Sequence, residues 1–461
     1  MTADAHFDVL NPSTGAAFNR APHANQAMVD AAVAAANAAF PAWASTPLAD
    51  RRKALRAARD AIHAHREELA RLLTTEQGKP LASAQGELGG VVMLMDKALA
   101  TDIPIDVYED TATKRIEVHR KPIGVVACLC PWNFPLFCSV QKWSPALVFG
   151  NTCVVKPSPF TPLTSLAVAE LVKDCFPPGV LNIVSGDDKQ DFNVGAHLSN
   201  HPDVHKVSFT GSVRTGTKVM ACCAPAVRRV TLEMGGNDPA IVRADCDPAE
   251  AAKGVFAGAF ANTGQVCCAI KRCFVHESIF DRFKEEIVRC AEQARVGDGM
   301  AEGVEYGPLN NRMQFDKVTE LVEDARTNGA EICCGGKVPD GAGKGFFYAP
   351  TIIAGVKEGD RIVDEEQFGP ALPIMSYATD DEAIRRANAS PYGLGGSVWT
   401  KDVAAGNKLA TRILSGTVWV NAHMDLTGAP FGGFRQSGIG RELGKADLDT
   451  FTECQTLQLA K

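Results

Sequence analysis

From Asn25 to Pro80, apolar residues return every three or four positions among charged ones, as in "AMVDAAVAAANAAF" and "RRKALRAARDAIHAH". That spacing predicts amphipathic helices over most of the first hundred residues, interrupted at "STP" (45–47) and closed by Gly78 and Pro80. Beyond residue 122 the texture changes to short β-branched runs: "GVVACLCP" (124–131), "TCVVKP" (152–157), "VLNIVSG" (180–186) and "HKVSFTGS" (205–212). Between two of them "PLTSLAVAELVKDCF" (162–176) has helical spacing. Uniformly apolar strands alternating with helices are the βαβ signature of a doubly wound parallel sheet.

A second alternating series starts after "EMGG" (233–236). "PAIVRADC", "RCFVHESIF", "FYAPTIIAGV", "ALPIMSYAT", "LGGSVWT" and "GTVWVNA" read as strands, with "DRFKEEIVRCAEQAR" and "DEAIRRANAS" as helices between them. This predicts a second α/β domain. "TATKRIEVHRKP" (111–122) alternates in a polar context and reads as an exposed or edge strand, while "PDGAGKGFF" (339–347) reads as a surface loop.

The length of 461 residues exceeds what one hydrophobic core organises, in keeping with two or three domains. A composition of 46% hydrophobic and 22% charged residues is that of an ordinary soluble protein. A net charge of -7 offers no general attraction for nucleic acid or an anionic membrane. The opening "MTADAHFDVLNPSTG" has no basic segment followed by an apolar one, and no run of about 18 uninterrupted apolar residues offers a membrane span. The cytoplasm is the default location. Fifteen cysteines, several adjacent, without a CxxC or Cys/His ladder, point to reduced thiols and no metal site.

Several segments carry candidate chemistry. "SFTGSVRTGTKVM" leads a strand into a helix through Gly211 and Ser212; amides and a hydroxyl at a helix start suit a diphosphate, and equally make an ordinary turn. Lys156 ends another strand, where a phosphate or ribose contact and a snorkelling surface lysine are both open readings. Glu233 closes an apolar strand before Gly-Gly, at the sheet edge where α/β proteins bind ligands; a cap or a surface pair would read the same. In "PWNFP", Trp132 and Phe134 flank Asn133 between two prolines, which stiffen the backbone and can aim the amide. In "GQVCC", Cys267 and Cys268 are candidate nucleophiles, against the common alternative of core thiols.

Nine segments together resemble one family in order and spacing: "NPSTG", "PWNFP", "GNTCVVKPSPFTP", "FTGS", "LEMGGND", "NTGQVCCAIKR", "EEQFGP", "PYGLGGSVWT" and "PFGGFRQSGIGRELG". From about residue 7 onward the chain is similar to the NAD(P)-dependent aldehyde dehydrogenases, including the 34 positions separating Glu233 from Cys267. The resemblance implies Cys267 as nucleophile, Glu233 as general base and Asn133 as oxyanion donor. It implies Trp132, Lys156, Ser158, Gly211, Ser212, Glu366 and Phe368 as cofactor contacts, with Phe134, Cys138, Gln141, Val266 and Cys268 lining the substrate pocket. The implied activity is oxidation of an aldehyde to an acid through a thiohemiacetal and a thioester, which water then cleaves. A thioester passed to coenzyme A, or a cysteine esterase without redox turnover, are the competing readings.

The implied fold is a Rossmann-like cofactor domain (1–107 and 128–234), an α/β catalytic domain (235–431) and a small β oligomerisation element (108–127 and 432–461), in a homodimer or homotetramer. Two departures from the family pattern matter. Pro159 replaces a glutamate that would repel a 2′-phosphate, so NAD is favoured with NADP still open. Gln141 replaces a large aromatic, and with "NAHMDLTGAPFGG" (421–433) it suggests either a polar tunnel mouth or a side chain facing another element. Lys142, Arg272 and Arg435 are the cations that would have to anchor a carboxylate-bearing substrate.

Overall fold

The computed structural model describes residues 5–187, 192–425 and 428–461. A hairpin of β1 (Ala5–Asn11) and β2 (Ala16–His23) precedes the helices α1 (Gln26–Ser45), α2 (Leu48–Ala64), α3 (Arg66–Gln77) and α4 (Leu81–Ala100). The helical periodicity says nothing of this hairpin, whose strands lie before it. Gly78 ends α3 with φ 99° and donates to Thr74 O, a left-handed cap that glycine adopts without penalty.

The chain then makes β3 (Asp106–Asp110) and β4 (Lys114–Pro122) before entering the first large sheet. That sheet is built from β5 (Val125–Leu129), α5 (Pro135–Val148), β6 (Thr152–Lys156), α6 (Leu163–Val172) and β7 (Leu181–Ile183). It continues through α7 (Val194–Asn200), β8 (Lys206–Gly211), α8 (Val213–Cys223) and β9 (Arg229–Met234). Strands β7, β6, β5, β8 and β9 lie side by side, all parallel. The wholly apolar β5 feeds both faces: Val125, Ala127 and Leu129 pack with α1, α7 and α8, and Val126 and Cys128 with α2 to α6.

The second sheet contains β10 (Asp238–Val242), α9 (Pro248–Phe260), β11 (Ile270–His276), α10 (Phe280–Gln293) and α11 (Arg312–Thr327). It adds β12 (Glu331–Cys334), β13 (Thr351–Ala354), α12 (Arg361–Asp364), β14 (Ala371–Tyr377), α13 (Asp380–Asn388), β15 (Gly395–Trp399), α14 (Val403–Ala410) and β16 (Thr417–Val420). The order is β12-β13-β14-β11-β10-β15-β16, parallel except for the β12 edge. The chain then returns. β17 (Gly438–Ile439) pairs antiparallel with Leu232 and Glu233 of β9, α15 (Ala446–Phe451) follows, and β18 (Thr452–Ala460) pairs with β4.

One expectation changes here. Lys114–Pro122 is not an edge strand: β4 is central, with β18 on one side and β3 on the other. The sheet's edges are β18 and β3, and in β3 Val107 and Tyr108 are 48% and 75% exposed. In addition, α1 is long and apolar enough by length and mean composition to cross a membrane, although it contains no uninterrupted apolar run. Its alanines raise the average, whereas Val29, Val33, Ala36 and Trp43 are buried in the fold and Trp43 Nε1 donates to Leu147 O at 3.0 Å.

The fold also gathers Asp30, His197 and His201, whose ligand atoms lie within 4.8 Å of one another. No sequence ladder announces them, because Asp30 comes from α1 and the histidines from α7 and its end. His201 Nδ1 accepts from Asp203 N (3.2 Å), which leaves Nε2 as the donor facing Asp30, as His197 Nε2 also does at 2.5 Å. The carboxylate between two imidazole donors lies below its ordinary pKa, chiefly through His197.

Asn151, fully buried, ties three segments together. Its Oδ1 accepts from Ile123 N (2.7 Å) and Gly124 N (3.1 Å), and its Nδ2 donates to Ala146 O (3.0 Å) and Phe451 O (2.8 Å). Replacing it with leucine strands two amides and the Phe451 carbonyl, each costing about 1–3 kcal/mol when buried, while Ala146 O keeps the backbone N–H of residue 151. Asn151→Leu is expected to lower the thermal midpoint by several degrees in scanning calorimetry; an unchanged midpoint would contradict this role.

Candidate active site

Strands β5, β6, β8 and β9 run in one direction, so Leu129, Lys156, Gly211 and Met234 end at the same edge, beside the point where strand order reverses. Clefts form at such edges because adjacent connections leave to opposite faces. Three segments meet there: the "PWNFP" turn before α5, Glu233 at the end of β9, and the loop 261–269 that enters β11.

That loop has an uncommon backbone. Asn262 (φ 49°), Thr263 (φ 58°) and Gly264 (φ 74°) are successively left-handed. For Asn and Thr this costs free energy that surrounding bonds must offset. Thr263 Oγ1 donates to Gly307 O (2.9 Å), Gln265 Nε2 to Asn262 O (2.9 Å), and Asn310 N to Gln265 Oε1 (2.8 Å). Gly264 is irreplaceable for a second reason, since a Cβ there would lie 2.3 Å from Gly369 O. The twist delivers Cys267 half-buried while Val266 and Cys268 on either side are buried. Cys268 is thus not an exposed neighbour: it is 3% exposed, and its carbonyl accepts from His423 Nε2 at 2.6 Å.

Asn133 is held at both ends. Its Nδ2 donates to Gln265 O at 2.9 Å, which binds the amide to the cysteine loop. Its carbonyl accepts from Lys79 Nζ (2.9 Å) and Asn262 Nδ2 (3.2 Å). Lys79 is wholly buried, pairs with Glu87 at 2.6 Å and lies 3.8 Å above the Phe134 ring. Glu87 in turn accepts from Leu136 N (3.0 Å) and Phe137 N (3.1 Å), capping the start of α5. Burial lowers the Lys79 pKa, with Glu87 acting against that.

Glu233 is 5% exposed, and its Oε1 has no partner among the described residues. Burial first, then the neighbouring Cys267, pushes its pKa well above the ordinary carboxyl range. The bond from Cys268 and burial likewise hold the Cys267 thiol above its ordinary value, opposed by Lys271 and by a hydrogen bond with Glu233. Burial thus works against the charged form of both members of this adjacent thiol and carboxyl. Cys138, one turn into α5, is pushed up mainly by burial and senses both Glu233 and Cys267.

Gln141 departs from the tunnel-mouth expectation. Its Nε2 donates to Glu442 Oε2 at 2.7 Å, within a buried cluster that also joins Lys142 Nζ (2.8 Å) and Ser208 Oγ (2.9 Å) to Glu442 Oε1. The returning tail supplies this glutamate, so Gln141 faces another element. Burial works against the charge on Lys142, yet Glu442 raises its pKa overall. In "NAHMDLTGAPFGG", residues 426 and 427 lie outside the described residues.

Among the other expected positions, Trp132 meets Phe368 edge-on at 5.4 Å. Glu366 Oε1 accepts from Gly236 N at 3.1 Å and pairs with Lys271 at 3.3 Å. The glycines are needed for that approach, as a Cβ on Gly235 would lie 2.2 Å from Glu366 Oε2. Ser212 caps α8, accepting from Thr215 N at 3.3 Å, and Gly211 packs so closely that a Cβ would meet the Phe209 ring at 2.6 Å. Lys156 and Ser158 are each 7% exposed beside this edge. Arg272 is committed to Asn237 O and Ala387 O, and Arg435 to Asn388 O. Single-residue reasoning passed over Lys79, Glu87, Lys271 and Glu442. The last two lie inside the quoted segments "AIKR" and "GRELG", and Lys79 follows the Gly78 read only as a helix stop.

Comparison with known proteins agrees with this geometry. A model of the aldehyde dehydrogenase family matches residues 1–457. Phenylacetaldehyde dehydrogenase of Pseudomonas fluorescens is 39% identical, covering 99% of this chain and 93% of that relative. Human retinaldehyde dehydrogenase 3 is also 39% identical, covering 98% and 89%. An NAD+ complex of an aldehyde dehydrogenase from Bacillus cereus superposes with a TM-score of 0.96 at 37% identity, covering 100% of this chain and 94% of that one.

The unpartnered carboxyl has a measurable cost. An unfolded Glu233 ionises near 4.5, whereas the folded one ionises well above that, so across the intervening window only the folded state keeps the proton. Stability contributed by this group is therefore lost as pH rises through the window. Glu233→Gln, which cannot ionise, is expected to raise the thermal midpoint at pH 8 and to leave it near the wild-type value at pH 5; parallel pH dependences for the two proteins would contradict the assignment.

Proposed function

The chain belongs to the aldehyde dehydrogenase family, and on that premise we propose that it oxidises an aldehyde to the carboxylic acid with Cys267 as nucleophile, Glu233 as general base and Asn133 as oxyanion donor. The observation carrying this reading is the nearness of the half-buried Cys267 thiol to the buried Glu233 carboxyl, whose Oε1 has no partner among the described residues. Attack by sulfur forms the C–S bond and moves the carbonyl π pair onto oxygen. Asn133 Nδ2 and the Cys267 N–H receive that oxyanion, one such donor being worth roughly 3–4 kcal/mol. Glu233 takes the thiol proton.

The residues at the sheet edge suit a dinucleotide. The start of α8 at Ser212 would offer amides to a diphosphate, Lys156 and Ser158 would serve the adenosine-side ribose, Trp132 and Gly211 would take further parts of the cofactor, and Glu366 with Phe368 would hold the second ribose. Bound there, NAD supplies the acceptor for the hydride that leaves the substrate carbon, and a thioester on Cys267 remains. Once it has released the thiol proton to solvent, Glu233 draws a proton from water as the hydroxide adds to the thioester carbon; the C–S bond then breaks, the acid leaves and the thiolate takes that proton back from Glu233. A base beside the sulfur favours this hydrolysis over transfer to coenzyme A and over an esterase role alone. Pro159 carries no charge against a 2′-phosphate, which leaves NADP accepted as the weaker partner.

The substrate we favour is an uncharged aliphatic or aromatic aldehyde, because Lys142, Arg272 and Arg435 all spend their charge on internal partners. Phe134, Cys138, Val266 and Cys268 are the pocket positions retained in this reading. The sheet segments divide into a cofactor domain (1–107, 128–234), a catalytic domain (235–431) and a bridging element (108–127, 432–461), except that Gly438–Ile439 joins the first sheet. The open β3 edge with exposed Tyr108 supports a homodimer or homotetramer. Fifteen free thiols support a cytoplasmic, reducing location.

An aldehyde panel assayed with NAD and with NADP tests the reaction. Cys267→Ala is expected to abolish turnover, Asn133→Ala to lower kcat by about 10²–10³-fold, and Cys268→Ala to retain activity. An active Cys267→Ala would overturn the assignment. Light scattering should return a mass of two or four times 49.1 kDa, and a monomer would remove the assembly reading.

A further inference from the structure

Lys271, the second residue of β11, sits directly behind the cysteine loop and has no part in the chemistry described so far. Its side chain is 3% exposed, and its ammonium makes three directed contacts: Val266 O at 2.9 Å, Cys267 O at 2.6 Å and Glu366 Oε1 at 3.3 Å. The first contact is the informative one. Val266 O and the Cys267 N–H belong to the same trans peptide, so they point in opposite directions in one plane. A cation fixed on the oxygen therefore fixes where the N–H points. It also draws electron density toward the oxygen, making that N–H a stronger donor.

We propose that Lys271 is a positioning residue for the oxyanion site: it orients and polarises the Val266–Cys267 peptide, and Glu366 holds the ammonium in place for that task. The proposal rests on Cys267 being the nucleophile. It adds a link between two parts of the site, because the carboxylate that anchors Lys271 is also the one suited to the nicotinamide-side ribose and is itself fixed by Gly236 N. The ammonium is shielded from water, so its charge is felt at the sulfur and favours thiolate. Glu233, Cys268 and Cys138 face the thiol from β9, the loop and α5; Glu366, Asp238, His423 and Lys317 face the ammonium from their own segments.

Two variants shift the local charge in opposite senses. Lys271→Met removes a positive charge beside the thiol at similar side-chain length, whereas Glu366→Gln removes the negative charge that offsets it. Three readouts are taken without cofactor: the p-nitrophenyl acetate acylation rate, circular dichroism, and the pH profile of iodoacetamide labelling at Cys267. With cofactor, kcat and KM for an aldehyde are separated. Lys271→Met is expected to slow acylation and lower kcat by about 10–100-fold with KM within about threefold, and to move the labelling profile to higher pH. Glu366→Gln is expected to move that profile to lower pH. A Lys271→Met protein that acylates at the wild-type rate with an unmoved profile overturns the proposal, as do shifts of the same sign in both variants. Should Lys271→Met fail to fold, Glu366→Gln decides alone: a shift to lower pH supports the proposal, and no shift or the opposite shift sinks it. Labelling or ester turnover that persists in Cys267→Ala instead refutes the nucleophile, a failure separate from that of Lys271.

Discussion

The site depends on holding residues 262–268 in a backbone conformation that the chain alone would not choose. Three consecutive left-handed residues are affordable only if neighbours fix them from several sides, and the bonds from Thr263, Gln265, Asn310 and Lys271 do so. Every one of these partners is buried, where a lost hydrogen bond is not replaced by water. The strain is thus offset by interactions made out of reach of solvent.

The same solution recurs on the facing side. Lys79 and Glu87 are buried at a cost in desolvation, and a buried ion pair of this kind adds little net stability on its own. What the pair secures is geometry, since one member grips the Asn133 carbonyl and the other caps α5 at Leu136 and Phe137. Glu76 treats α6 in the same way, accepting from Leu163 N and Thr164 N. Carboxylates at two helix starts complement the positive end of each helix dipole and set where the helices begin. The site amide is therefore positioned by residues in α3, α4 and their connection, far from it in sequence.

How much of this was legible in the sequence follows from the range of each interaction. Strand and helix periodicities depend on neighbours two to four positions apart, and so the βαβ runs from Val125 to Met234 match their sequence pattern closely. Cys267, Glu233 and Asn133 stood out because short motifs surround them. Gln141 could not be placed, because its partner Glu442 lies 301 positions away on a returning tail. The β3–β4–β18 sheet shows the same limit: an alternating segment reveals a strand, but β4 is made central only by β18, more than three hundred residues later.

Charge around the cysteine loop is also simpler than its composition suggests. His423 and Asp238 approach to 3.9 Å, a distance at which an ion pair would be assigned. Burial overrides that pairing: the imidazole is pushed down to about 3, so it is neutral at pH 7 and donates through Nε2 to Cys268 O, while the carboxyl is pushed up to about 7. A neutral imidazole therefore backs Cys268, and the ammonium of Lys271 backs Cys267, with Glu366 as its nearest carboxylate. Two adjacent cysteines of identical chemistry are thereby made unequal by what stands behind their carbonyls. The half-buried one receives the charge, and the buried one does not.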